Sequence, residues 1–452
     1  MPNPRPHMRR MFLPVGQGAF YCERFFPYLT DGPINVVYDC GAIPKWPVER
    51  EIKKLFLERE TIHAVFISHF HEDHVNGLPN LLKRCLVKRI YYPYLDAQAK
   101  SLTEIWLAAN GQGQDTALRF LQNPRKCVDE WSGLKGFTAL IPVLPDRGGG
   151  TGDPPREQGV NEPIKSAPIF MKQWFEEEKK ALPSLDSLDD WFYLPFNYRR
   201  EEFIVQFQAA LVDAKVSLDA QPANLSFNDR RKIRAVYEQV ASDCNLTSMV
   251  LFSGLETPGF CQMGNIWSGP INPEWTKSEG CLYTGDYNAR AEEPQKGLED
   301  AFASHLEHIG CIQIPHHGSQ RSFNDKFCLF DSILVVSAGI VNRYLHPDPH
   351  VVKKCADKKR PLQIVSERMD SRVDTIVCPK ATAKDVWNHE FWKSRVSDEW
   401  KTACEAFGEK NVTPPFVPPI EQFMNEIMAS RITSLTQDEE WAKAYKKQLC
   451  PE

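Results

Sequence analysis

Apolar and polar positions alternate through the first hundred residues in short runs closed by glycine. Met11 to Ala19 predicts a strand entering the turn "VGQG", and "INVVYDCG" (Ile34 to Gly41) predicts a second, β-branched strand. "PVEREIKKLFLE" (Pro47 to Glu58) spaces its apolar residues as a helix does and starts on proline. "IHAVFIS" (Ile62 to Ser68) predicts a buried strand, followed by a helix in "VNGLPNLLKRCL" and a strand in "VKRIYYPYL". Strands alternating with helices imply sheets covered by helices.

The rhythm then changes. Leu102 to Asn123 predicts helix, and Asp146 to Gly159 ("DRGGGTGDPPREQG") a glycine- and proline-rich loop. Helical spacing returns at Met171 to Leu182, Glu201 to Ala214 and Asp229 to Ser242. Further strands are predicted at Thr247 to Gly254, Gly280 to Asp286, Gly310 to Ser319 and Ser332 to Gly339. Beyond about Lys380 the chain is rich in tryptophan and charge, the pattern of a helical tail.

A length of 452 residues allows two to four folding units at about 150 residues each, or one large domain with insertions. The net charge of -5 sets up no global field for nucleic acid or an anionic membrane. Basic clusters at Lys83 to Arg89, Asp229 to Arg234 and Lys353 to Arg360 are local and fit solvated faces. The 13 cysteines contain no C-x-x-C pair, which points to reduced thiols and a cytoplasmic setting. No apolar run approaches the ~20 residues of a membrane span, so no membrane partner is expected.

The chemistry concentrates in "FISHFHEDHVNGL" (Phe66 to Leu78), where three histidines and two acids occupy positions 69–74. His69 and His71 stand two apart at a strand end and so face one side. Asp73 and His74 fall where the next helix begins. Imidazole and carboxylate are the donors zinc takes readily, and a catalytic site keeps a position open for water. Further donors are expected from other strand ends: Asp286 in "LYTGD", and His346 in the loop "SAGIVNRYLHP". In "IPHHGS", His316 and His317 point apart on an extended chain, so one of them can face the cluster as a proton donor. Gly318 and Ser319 could open a backbone anion nest.

These pieces, in this order, resemble the metallo-β-lactamase superfamily, in the branch of the hydrolase domain of the DNA-uptake competence channel protein. The matching segments are "VGQG", "VVYDCG", "HFHEDHVNG", "NLTSMVLFSG", "LYTGD", "PHHGS" and "SAGIVNRYLHP". The resemblance implies an α/β fold, the αββα sandwich of that superfamily, over residues 11–95 and 246–380. Residues 96–245 would be an inserted, mostly helical region, and 381–452 a helical extension. It implies two divalent metal ions, Zn2+ or Mn2+. His69 and His71 would hold one ion, Asp73, His74 and His346 the other, with Asp286 shared and Asp39 orienting the cluster. Many members carry a further histidine between the cluster and the bridging aspartate. Here no histidine occurs from Val75 through Ala303, so the first ion is one imidazole short and would bind weakly, prefer manganese, or borrow His316 or His317.

The expectation is a metal-dependent hydrolase whose nucleophile is a metal-bound hydroxide, with Asp73, His316 and His317 as catalytic residues. A phosphodiester in DNA or RNA is the expected substrate, and nucleic acid the expected partner. The insertion, with Trp191 to Arg200 and Asp229 to Arg234, would supply the grip. A bacterial defence effector would suit such a nuclease. The alternatives are a hydrolase of a cyclic nucleotide, phosphonate or lactone, or a structural subunit that keeps the fold without turnover.

Overall fold

The computed structural model describes residues 7–26, 32–111, 115–146, 158–178, 190–217, 224–241, 247–256, 260–263, 275–276, 278–340, 342, 344–360 and 362–379. Among these, two large sheets face each other. The first runs in the order Trp275–Thr276, Phe260–Met263, Val373–Pro379, His7–Phe12, Gln17–Phe26, Ile34–Ile43, Ala64–Phe66, Arg89–Pro93 and Ala139–Val143. The second runs Leu362–Val365, Ile333–Ser337, Ile309–Gln313, Gly280–Tyr283, Thr247–Leu255, Trp191–Arg199 and Ile169–Phe170. Each sheet contains a parallel block. In the first it is Ile34–Ile43, Ala64–Phe66, Arg89–Pro93 and Ala139–Val143. In the second it is Gly280–Tyr283, Ile309–Gln313, Ile333–Ser337 and Leu362–Val365. Parallel strands need crossovers, and helices supply them, which covers the outer faces.

Three apolar cores follow from this layering. Phe12, Tyr21, Tyr38 and Phe66 of the first sheet meet Tyr193, Met249, Leu251 and Tyr283 of the second between the sheets. Leu81, Leu102, Phe120, Phe207 and Ile233 bury the first sheet's outer face under helices. Phe252, Leu298, Phe302 and Val351 do the same for the second. Helices outside and two sheets inside make the expected αββα sandwich.

One carboxylate stitches the two sheets through the buried middle layer. Glu23, buried, accepts from Arg10 Nε at 2.8 Å and Tyr283 OH at 2.9 Å on one oxygen. Its other oxygen accepts from Tyr193 OH at 2.9 Å and Ser253 Oγ at 2.7 Å. Arg10 belongs to the same sheet as Glu23, and the three hydroxyls to the opposite one. A buried charge is tolerated where such partners satisfy it.

Three local expectations change. Met11 to Ala19 is not one strand: His7–Phe12 and Gln17–Phe26 pair as an antiparallel hairpin around a turn where Gly16 has φ +75°. The region 96–245 also contributes strands to the sandwich: Ala139–Val143 closes one edge of the first sheet and Trp191–Arg199 pairs along its length with Thr247–Leu255. The aromatics of Trp191 to Tyr198 are buried there rather than offered to solvent. The helices Ala97–Asn110, Thr116–Gln122, Glu201–Asp213 and Phe227–Ala241 do form where spacing predicts. The expected tail, 381–452, lies outside the described residues.

Candidate metal centre

The histidine cluster leaves the C-terminal end of the buried strand Ala64–Phe66, and the short helix Glu72–Val75 follows it. Asp286 follows the strand Gly280–Tyr283 of the other sheet. The two strand ends approach so closely that a Cβ on Gly285 (φ +54°) would lie 2.6 Å from Ser68 Cβ. Only glycine fits beside Ser68 in that conformation, which explains the "TGD" sequence. Gly41 plays a similar part, since a Cβ there would sit 2.5 Å from the Asp73 carbonyl carbon.

Two trios result, each with its donor atoms within 4.8 Å of one another: His69, His71 and Asp286, and Asp73, His74 and His317. The sequence places all six in candidate roles, but His346 stands in neither trio and His317 takes the position expected of it. His346 is buried, with its ring centroid 6.4 Å from that of His317, and its backbone N–H bonds to Asn342 Oδ1. His316 lies at the rim, its Nε2 3.8 Å from Asp286 Oδ2 and its Nδ1 3.1 Å from Ser322 Oγ. Both His316 (φ +49°) and His317 (φ +54°) adopt left-handed backbone, as do Asp39 and Leu345. Non-glycine residues held in this region cost energy, and such strain gathers at functional sites. The turn is what lets two adjacent histidines both approach Asp73 and Asp286.

A single pattern governs three of the imidazoles. His74 Nδ1 donates to Asp39 Oδ2 at 2.8 Å, leaving Nε2 3.2 Å from Asp286 Oδ1. His69 Nδ1 meets Ser68 Oγ at 2.9 Å, and that hydroxyl donates to Asp39 Oδ2 at 2.7 Å. His317 Nδ1 donates to the Ser337 carbonyl at 2.9 Å and turns Nε2 to 3.1 Å from Asp73 Oδ2. Each ring thus gives its Nδ1 proton away and aims Nε2 at a carboxylate. Lone pairs facing carboxylates repel unless a cation, proton or metal, lies between them. His69 Nε2 is buried and makes no hydrogen bond. The donor set therefore fits divalent metal ions, with the Nδ1 acceptors fixing each ring as outer partners do in metal sites. Asp39 has the orienting position expected of it; Ser68 and Ser337 were not singled out. Ser68, next to His69, carries a weak signal of its own, whereas a backbone carbonyl carries none.

Charge follows the same geometry. Burial alone would raise the Asp73 carboxyl, but the charge of His74 and the hydrogen bond from His317 outweigh it and hold the carboxyl below its usual range. Burial pushes His71 down to about 4. Burial also lowers His317, yet the hydrogen bond to Asp73 carries it above the ordinary value.

One expected feature does not form. The backbone N–H groups of Gly318 and Ser319 bond to the carbonyls of Pro315 at 3.0 Å and His316 at 2.9 Å, so they make no anion nest. They are spent closing the tight turn that aims the two histidines.

The model of the metallo-β-lactamase superfamily matches residues 29–164, the segment that carries the histidine cluster. The chain has the metallo-β-lactamase fold. That match points to a metal-dependent hydrolase; it does not single out the competence branch. Among solved structures, human tRNase Z, short form, is similar at 12% identity, with 79% of this chain and 92% of that one covered and a TM-score of 0.33. Unliganded yeast PDE1 is similar at 10% identity, covering 81% and 99%, with a TM-score of 0.36. A subclass B3 metallo-β-lactamase from a soil metagenome library gives 9% identity, 70% and 80% coverage and a TM-score of 0.26. No curated protein matches the chain. Among the described residues no helix of this metallo-β-lactamase-fold chain is long and apolar enough to cross a membrane.

Proposed function

We propose that the chain is a metal-dependent phosphodiesterase, with nucleic acid as the first substrate class to test. The observation that carries the reading is the pair of adjacent trios with Asp286 within 3.5 Å of both His69 and His74. His69, His71 and Asp286 would hold one divalent ion, and Asp73, His74 and His317 the other. Bound ions of this kind lower the pKa of water and neutralise the charge that develops on a phosphoryl group under attack. The protein's own part is orientation. Asp39, Ser68 and Ser337 fix the rings, and burial keeps bulk water from His69 and His74. His316, part-exposed beside Asp286, would deliver a proton to the leaving oxygen. The resemblance to the competence-type branch, and a role in bacterial defence, belong to this reading as expectations.

A second reading, hydrolysis of a small phosphodiester or a lactone, is favoured by the insertion. Arg230 is not free to meet a phosphate: its guanidinium bonds to the carbonyls of Ala108 at 2.7 Å and Gly111 at 3.0 Å, closing the end of the helix Ala97–Asn110. Manganese- or zinc-loaded protein should be incubated with single-stranded DNA, duplex DNA, RNA, a cyclic nucleotide, a lactone and a chromogenic phosphodiester. Asp286→Asn should abolish turnover of every substrate that wild type cleaves. Cleavage of the cyclic nucleotide or of a lactone alone would replace the nuclease with the small-molecule enzyme.

A further inference from the structure

His71 breaks the pattern of the other cluster histidines. Its Nε2 is met at 3.3 Å by the indole N–H of Trp106. Trp106 comes from the helix Ala97–Asn110, outside the sandwich, and nothing in its sequence surroundings marks it. It lies flat on Tyr237, ring centroids 3.5 Å apart and planes 10° from parallel. Tyr237 in turn meets Phe203 and Phe207 edge-on at 6.0 and 5.4 Å. Three helices thereby hold one indole, and Arg230 clamps the end of the helix that bears it.

An indole N–H can only donate, so it needs the Nε2 lone pair of His71. With Nε2 accepting, the neutral ring carries its proton on Nδ1. A metal ion approaching Nε2 must displace Trp106. One approaching Nδ1 requires the ring proton to move from Nδ1 to Nε2, which sets two N–H groups against each other. By either nitrogen, loading His71 breaks the Trp106 hydrogen bond.

We propose that Trp106 is a latch on the first half-site: it competes with metal for His71, weakens that ion, and ties its occupancy to the position of the helices Ala97–Asn110 and Phe227–Ala241. The inference rests on the metal reading of the two trios. It assigns the weaker of the two sites to a donor supplied by the insertion, in addition to the short count of histidines.

Two measurements test it. Calorimetric titration of metal-free protein with Mn2+ should give a tighter and a weaker ion. Trp106→Phe keeps a ring on Tyr237 but removes the donor, so the weaker ion should bind about two- to tenfold more tightly, the worth of one hydrogen bond, with the tighter ion unchanged. In wild type labelled with 5-fluorotryptophan, the 19F resonance assigned by its loss in that variant should move with the second equivalent of metal and not the first. An unchanged weaker site, or a resonance that ignores the second ion, overturns the latch while leaving the metal centre intact. Protein that takes up no ion at all removes the metal reading and the latch with it.

Discussion

His74 gives its Nδ1 proton to Asp39 at 2.8 Å and turns Nε2 to within 3.2 Å of Asp286 Oδ1, so one imidazole joins two buried carboxylates. Asp39 also accepts the Ser68 backbone N–H at 2.7 Å and the Ser68 hydroxyl at 2.7 Å. Through Ser68 it reaches His69 as well. Asp39→Ala should therefore lower metal affinity at both trios, by about 10- to 100-fold, as the loss of such outer partners does elsewhere. Competition against a metal-binding dye measures it, with circular dichroism to check that the fold survives. Wild-type affinity in a folded variant would show that Asp39 does not orient the cluster.

Paired variants test whether His317 or His346 serves as a ligand. His317→Ala should lose most of one metal ion per chain by elemental analysis. His346→Ala should retain the wild-type content. The opposite result would restore the ligand set that the sequence resemblance implies and give His317 back its role as a proton donor.

Arg230 and Arg231 are neighbours in sequence with different work. Arg230→Ala removes charged donors from the Ala108 and Gly111 carbonyls and should destabilise the protein by about 1.5–3 kcal/mol. Arg231 is exposed, and its replacement by alanine should change stability by less than about 0.5 kcal/mol. Urea denaturation separates the two. If Arg231→Ala with Lys232→Ala weakens binding to long polynucleotides in a salt-dependent way, the nuclease reading gains its grip. Unaltered binding over a range of salt would assign the insertion another job.

Glu23 offers a test far from the chemistry. Glu23→Ala takes its carboxylate partner from Arg10 in the middle layer and leaves three buried hydroxyls without that acceptor. Breaking a buried pair on one side costs about 3–5 kcal/mol, so thermal unfolding should fall steeply. Replacing Arg10 and Glu23 together with apolar residues should recover part of the loss. A neutral single variant would mean that water enters the layer and takes the acceptor's place.

Much of the centre was legible because its donors follow strand ends. Period-two alternation locates a strand, its end locates the turn, and a turn carrying H-x-H-x-D-H has little use but metal. Asp286 was read on those grounds, whereas Asp39 and the αββα layering came from the superfamily resemblance. Local pattern decides such features because the forces that set them act over a few residues. The choice between His317 and His346 has a different origin. It depends on the left-handed turn at His316 and His317 and on a carbonyl of the neighbouring strand, Ser337, that takes the Nδ1 proton. The burial of Trp191 to Tyr198 depends on pairing with Thr247–Leu255, some fifty residues later. Arg230 reads as a solvated basic residue until a helix end more than a hundred positions earlier is folded against it. Trp106 reads as one apolar position in a helix until Tyr237 and His71 close around it. The sequence determined which residue types could bind metal and roughly where in the sandwich they stand. Only the tertiary structure decided which nitrogen faces which oxygen, because that is set by long-range contacts whose partners leave no mark on the local pattern.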